Sequence, residues 1–210
     1  MNRYRNPAMR QLAEQQVRYA PRDVRLSQIG RAEERAPELS ADEDYRYVDL
    51  CYEITGFRTD RYPDLIVSGS EALHDLRCFV EDLSESIRQT TDQAGEPVRT
   101  LEEVCERFHV SEKTVQRWRN RGLVSRWFLV GNRMKLGFLD ASIERFAQAR
   151  PHDVQRGLAF RPVERSEREQ IIRRARRLAR FGASLAEISR RLARRYRRSP
   201  ETIRYTVREH

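Results

Sequence analysis

The chain has 210 residues, 39% of them hydrophobic and 35% charged, a balance too polar for one thick core and better suited to small modules. Its net charge of +9 favours a polyanionic partner, because side chains that neutralise phosphates gain free energy from counterion release. No apolar run approaches the roughly 20 residues a membrane helix needs, and Met1 to Arg10 lack the apolar core of a signal peptide, so a cytoplasmic, nucleoid-associated protein without a membrane partner is expected.

Charge is divided along the chain: +4 over residues 1–37, −10 over 38–97, +5 over 98–150 and +10 over 151–210. An acidic stretch is repelled by a phosphate backbone over about a Debye length, roughly 8 Å at physiological salt. Contact with nucleic acid is therefore expected after residue 98. The pattern predicts a mainly α fold: a helical N-terminal hairpin, a winged helix-turn-helix with a short β-hairpin, then a trihelical helix-turn-helix module.

Residues 1–40 carry Leu12, Val17, Val24, Leu26 and Ile29 among many charges, which predicts an arm or at most a short helix. Over residues 41–90 an acidic helical hairpin is expected. Its first helix has Tyr47, Leu50, Cys51 and Ile54 at i, i+3, i+4 and i+7 and stops at Gly56. Its second is capped by Ser70 and has Leu73, Leu76, Phe79, Val80, Leu83 and Ile87 along one face, acidic residues opposite. Residues 88–97 are polar, contain Gly95 and Pro97 and show no periodicity, so 91–99 read as a linker.

Residues 100–150 open with Thr100 and Glu103, a capping box. Leu101, Val104, Cys105 and Phe108 then line one helix face, the chain turns at His109 to Ser111, and a second helix runs from Glu112 to Arg121, ended by Gly122. Val115 and Trp118 point inward on that helix, Trp118 as core rather than a base-stacking ring. Lys113, Gln116, Arg117, Arg119 and Asn120 are left for a DNA groove, where Arg suits guanine and Gln or Asn suits adenine. WFLVGNRMKLGFL reads as a β-hairpin around Gly131 and Asn132 with basic Arg133 and Lys135, a wing. Asp140 caps a last helix with Ile143, Phe146 and Ala147 inward, and Pro151 ends the unit.

Over residues 160–210, Ser166 with Glu169 and Ser184 with Glu187 repeat the capping box. Ile171, Ile172, Ala175, Leu178 and Ala179 form the inner face of the first helix, and Leu185, Ile188 and Leu192 that of the second. Ser199, Pro200 and Glu201 start a third helix with Ile203 and Val207 inward. Thr202, Arg204, Tyr205 and Arg208 are expected on its reading side, with Arg197 and Arg198 beside them for phosphates.

Cys51, Cys78 and Cys105 lack metal-ligand spacing and read as small apolar residues, so neither metal nor cofactor is expected, nor a small-molecule ligand. Paired catalytic carboxylates and a phosphate-binding glycine loop are not found, the nine glycines being scattered at turns and ends, which argues against an enzyme acting on DNA. An arginine-rich RNA-associated protein is a further alternative, against which stand two successive capped helix-turn-helix patterns.

The segment TLEEVCERFHVSEKTVQRWRNRGLV resembles the winged helix-turn-helix of the MerR and excisionase families. End to end, MNRYRNPAMRQLAEQQVRYAPRDVRLSQIGRAEE, LCYEITGFR, YPDL, EALHDLR, FVEDLS, VSEKTVQRWRNRGLVSR and SPETIRYTVREH resemble the N-terminal portion of sigma-70 family RNA polymerase factors of the planctomycete type. That resemblance implies a role in promoter recognition and transcription initiation, with duplex DNA and the polymerase core as partners and SPETIRY as a DNA-reading helix. No stretch here corresponds to the family's promoter-melting region 2 or to its region 4. A fragment of a longer protein, or a stand-alone helix-turn-helix regulator without sigma activity, stays open as an alternative.

Overall fold

Asn6 starts the first helix by accepting a hydrogen bond from the Ala8 amide on its side chain, with Pro7 preset for the first helical position. In this computed structural model, which describes residues 3–158, 165–196 and 198–209, the chain is mainly helical with two small antiparallel sheets. It divides into two units, Met1–Phe160 and Arg161–His210.

The first unit begins with α1 (Pro7–Tyr19) and α2 (Arg22–Arg35), where an arm or one short helix was expected. Their apolar residues are few, but Met9, Leu12, Ala13, Ile29 and Ala32 are all buried. Strand β1 (Asp44–Arg46) leads into α3 (Tyr47–Thr55), which Gly56 closes at φ 78°. Strand β2 (Ile66–Ser68) pairs with β1, Tyr45 opposite Val67. Helix α4 (Gly69–Ile87) starts from a capping box of Ser68 and Glu71 rather than from Ser70. The expected hairpin of α3 on α4 is replaced by a different packing: α4 lies on α1 and α2, and α3 on α2. Tyr47, Leu50, Ile54, Leu73, Leu76, Phe79 and Leu83 close the core.

The acidic residues expected on the outer side of α4 are in fact partly internal. Asp75 accepts the backbone amides of Arg5 and Asn6, at 2.8 Å each, and the Tyr4 hydroxyl donates to Asp82 at 2.9 Å. These bonds anchor the start of the chain to the middle of α4.

The stretch expected as a linker is built into the same unit. Residues Thr91–Ala94 form a 3-10 turn, and strand β3 (Val98–Arg99) pairs with Phe138 and Leu139 of a later strand. Then follow α5 (Leu101–Phe108), α6 (Glu112–Arg119), β4 (Arg126–Val130), β5 (Arg133–Leu139), α7 (Asp140–Ala149) and α8 (Pro151–Leu158), in a sheet ordered β3-β5-β4. Pro151 thus opens a helix whose Val154 returns to the core of Val104, Val115, Trp118, Leu123, Phe138, Ile143 and Phe146. On its far edge β4 is held to the N-terminal half, its Trp127 amide donating to Ser84 Oγ and its Leu129 amide to the Gln89 carbonyl.

Two buried ion pairs join these halves. Arg126 donates through Nε and Nη2 to the two oxygens of Glu33, both at 2.6 Å, and Arg119 donates to Glu81 at 2.6 Å. Gly122 packs so close that a Cβ there would sit 2.5 Å from the Ala36 carbonyl oxygen, and its φ of 109° is one that side-chain-bearing residues rarely adopt.

The second unit is a three-helix cluster of α9 (Arg165–Arg180), α10 (Leu185–Tyr196) and α11 (Pro200–Arg208) around Ile171, Ala175, Ile188, Leu192, Ala193 and Ile203. Ser166 lies inside α9, whereas Ser184 accepts the Glu187 amide at 3.3 Å, as a cap should.

Because Glu33 is 1% exposed in its side chain and Arg126 12%, Glu33→Ala leaves a buried guanidinium without its counter-charge, at a cost of about 3–5 kcal/mol. Urea unfolding should show a lower midpoint with an unchanged slope, and replacing both residues by Met should recover most of the loss.

Candidate nucleic-acid interface

Helices α5 and α6 meet at a tight turn. His109 takes the left-handed conformation at φ 50°, and the amides of His109 and Val110 bond back to the carbonyls of Glu106 and Cys105. Thr100 and Glu103 form the expected capping box on α5. Trp118, 3% exposed, stands edge-on to Phe108 at 5.4 Å and tilted against Phe146 at 5.7 Å, which makes it the bolt between α5, α6 and α7.

Of the five side chains expected in a groove, four lie on α6 and Asn120 follows its last residue, and the structure divides them. Lys113, Gln116 and Arg117 are exposed together on the outward side, and neither cation has a carboxylate partner among the described residues. Arg119 is withdrawn: its guanidinium is buried on Glu81 and also donates to Gln116 Oε1 at 2.7 Å. Burial pulls the Arg119 guanidinium below its ordinary range while Glu81 pushes it back up. Asn120 is exposed, but its side-chain oxygen accepts from Arg77 of α4 at 3.4 Å. A missed signal was present, since Arg119 is four residues after the inward Val115 and so on the same helix side.

The hairpin turns through Gly131 and Asn132, with Val130 opposite Arg133. Gly131 has φ 59°, the positive-φ first position of a two-residue turn. Arg133 and Lys135 are two residues apart on β5, hence on one face, and both are exposed. Lys135 is near enough to α5 to help hold the Glu102 carboxyl below its usual range, after hydrogen bonds at the helix start.

Asp140 does not cap α7 but is its first residue. Arg99 grips both its oxygens at 3.0 Å and Arg107 adds a third bond at 3.2 Å. That bonding, with the nearby positive charge, holds the Asp140 carboxyl below the ordinary aspartate range.

In the second unit, Ser199 accepts the Thr202 amide at 3.1 Å with Pro200 at the first position of α11. Thr202 is engaged in this cap, its hydroxyl 2.9 Å from that of Ser199. Arg204, Tyr205 and Arg208 form the outward face, Tyr205 being 65% exposed, while Ile203, Thr206 and Val207 face in. The arginines of this face have no carboxylate partner among the described residues. The nearby Glu209 carboxylate raises the pKa of the Tyr205 hydroxyl. Arg198, expected on phosphate, instead grips Glu167 with two bonds of 3.1 and 2.7 Å, its side chain 7% exposed. Arg197, also assigned to phosphate, is outside the described residues.

Cys51, Cys78 and Cys105 are free thiols, and burial pushes that of Cys78 up to about 11 and the others upward. Among the described residues no group of His, Cys, Asp or Glu could hold a metal ion, and no helix is long and apolar enough to cross a membrane. Comparison of the chain with family models, with curated proteins and with solved structures found no match.

Since the folded pKa of Asp140 is depressed, its stabilisation is complete above the unfolded aspartate value near ~3.9 and is lost as pH falls through the lower folded value. Asp140→Asn should therefore flatten the acid limb of stability against pH below about pH 4, read by urea midpoints. An acid limb identical to that of the parent would show that this bonding contributes nothing.

Proposed function

We propose that this chain is a DNA-binding transcription protein of the sigma-70 type that contributes to promoter recognition. On this reading β3 through α8 form a winged helix-turn-helix, α9 to α11 a trihelical helix-turn-helix, and α6 and α11 each enter a major groove. One observation carries it. Arginines on the inner sides and flanks of these elements, Arg119, Arg126 and Arg198, are tied to carboxylates, whereas Arg117, Arg204 and Arg208 on the outward faces are left without such partners.

Roles follow from chemistry. Arg117 and Arg204 read guanine edges, Gln116 reads adenine with its amide nitrogen donating to N7 and the lone pair of Oε1 that Arg119 leaves open accepting from N6, and Lys113, Arg133, Lys135 and Arg208 neutralise phosphates. Tyr205 packs against the groove wall beside Arg204. The chain acts through binding rather than catalysis, at the nucleoid, and the polymerase core is the protein partner that the sigma-70 resemblance supplies. Arg119 and Asn120 have no reading role here, since both are engaged with α4.

Fluorescence anisotropy of the full chain on pooled promoter duplexes, at about 50 and 200 mM salt, tests the proposal together with retention of polymerase core. A preferred subset of duplexes and a steep salt dependence are expected. On a preferred duplex Arg117→Ala or Arg204→Ala should cost about 1–3 kcal/mol and relax the preference, whereas Arg133→Ala should weaken all duplexes alike. Equal weak binding to every duplex overturns sequence-specific reading. DNA binding without core retention identifies a stand-alone regulator instead.

A further inference from the structure

Helix α9 has an outer face that the reading by α11 does not use. Ile171, Ala175 and Leu178 face the core shared with α10 and α11. At about 100° per residue, Arg173, Arg177 and Arg180 fall on the opposite side, and all three are exposed. The carboxylates within α9 pair elsewhere, Glu167 with Arg198 and Glu169 with Arg165, and these three arginines have no carboxylate partner among the described residues.

At the C-terminal end of this stripe Phe181 is 80% exposed. Its ring, Ile172, the three arginines and Arg176 line one open groove of about 710 Å³, with Glu169, already paired with Arg165, as the one carboxylate in its lining. An unpartnered aromatic ring next to unpaired guanidinium groups suits a ligand that offers both a flat apolar face and repeated negative charge. Single-stranded nucleic acid offers both, base and phosphate in alternation. Duplex DNA has its base faces sealed by stacking, so it would meet the arginines and leave Phe181 in water. An acidic protein surface would likewise satisfy the charges and leave the ring without a flat partner.

We infer that the outer face of α9 is a binding site for single-stranded nucleic acid, in which Arg173, Arg177 and Arg180 follow the phosphates and Phe181 stacks on a base. The face points away from the core that α9 shares with α11, so duplex held by α11 leaves it open. The inference does not depend on α11 entering a groove, and it adds a second class of nucleic acid to the proposed function.

The test uses the full chain and three labelled probes, a 16-residue oligo-dT, a 16-residue oligo-U and a mixed-sequence duplex, with anisotropy over a salt series. The triple variant Arg173→Ala, Arg177→Ala, Arg180→Ala should bind single strands with a salt slope smaller by about 2, given roughly 0.7 per cation. Phe181→Ala should lower single-strand affinity about tenfold with an unchanged slope. Duplex affinity should move little in either, and should instead fall in Arg204→Ala with Arg208→Ala, which leaves single strands bound. Comparing oligo-dT with oligo-U says whether the strand is DNA or RNA. As all four positions are exposed, an unchanged melting temperature checks that each variant folds. Equal losses on duplex and single strand overturn the proposal, as does a silent Phe181→Ala, for then only bulk charge acts. No change in either variant also overturns it and leaves the face to an acidic protein surface.

Discussion

Two buried arginine–carboxylate contacts, Arg126 on Glu33 and Arg119 on Glu81, decide how the first 160 residues are put together. Each joins a carboxylate of the N-terminal half, Glu33 on α2 or Glu81 on α4, to an arginine at the end of α6 or the start of β4. Removing two charges from water is expensive, and their attraction offsets that cost only when geometry and hydrogen bonding are good. Arg126 on Glu33 meets that condition with two bonds of 2.6 Å, whereas Arg119 on Glu81 meets it in part, its single bond of 2.6 Å to Glu81 standing beside a buried Nε that has no partner. Their specificity is the important part: an apolar patch tolerates sliding, whereas a two-bond guanidinium–carboxylate contact admits one register. Consequently the orientation of α6 is set by α2 and α4 as much as by its own small core.

The same constraint changes the meaning of the charge partition. Counted along the chain, residues 38–97 carry −10, which looks like a solvated acidic surface. Part of that charge is internal. Asp75 and Asp82 fasten the chain start, and Glu81 holds Arg119. Net charge by segment therefore overstates how much negative surface remains to repel phosphate. It also understates cohesion between the halves, since acid on one side is matched by arginine on the other.

This is why the sequence was legible in some places and opaque in others. Local signals sufficed where one helix carries its own cap and apolar stripe: Thr100 with Glu103, Ser199 with Pro200, Trp118 as core, and the Gly131–Asn132 turn all have the structure their residue types imply. They failed where a segment depends on distant partners. Helices α1 and α2 have few apolar residues and look like an arm, yet Met9, Leu12, Ile29 and Ala32 are completed by α3 and α4. Residues 91–99 look like a linker because the pairing of β3 with β5 spans about forty residues and leaves no periodic trace. Ser68 displaced Ser70 as the cap because β2 fixes where the chain enters α4.

Arginine was the hardest residue to read, for a physical reason. Its guanidinium serves equally well as a buried structural fork and as a reader of base edges or phosphate, and composition cannot separate the two uses. Helical phase separates them in part: Arg119 shares the side of Val115, while Arg117 does not. Partners complete the separation, because a guanidinium already holding a carboxylate in two bonds would have to give up that contact, and leave the acid bare, before it could take a phosphate. Arg198 on Glu167 and Arg126 on Glu33 are in that position. Arg117, Arg204, Arg208 and the stripe on α9 are not, so contact with a polyanion removes no internal bond from them. Binding at these positions leaves the two cores intact, which is what a protein needs if it is to meet nucleic acid and release it again without unfolding.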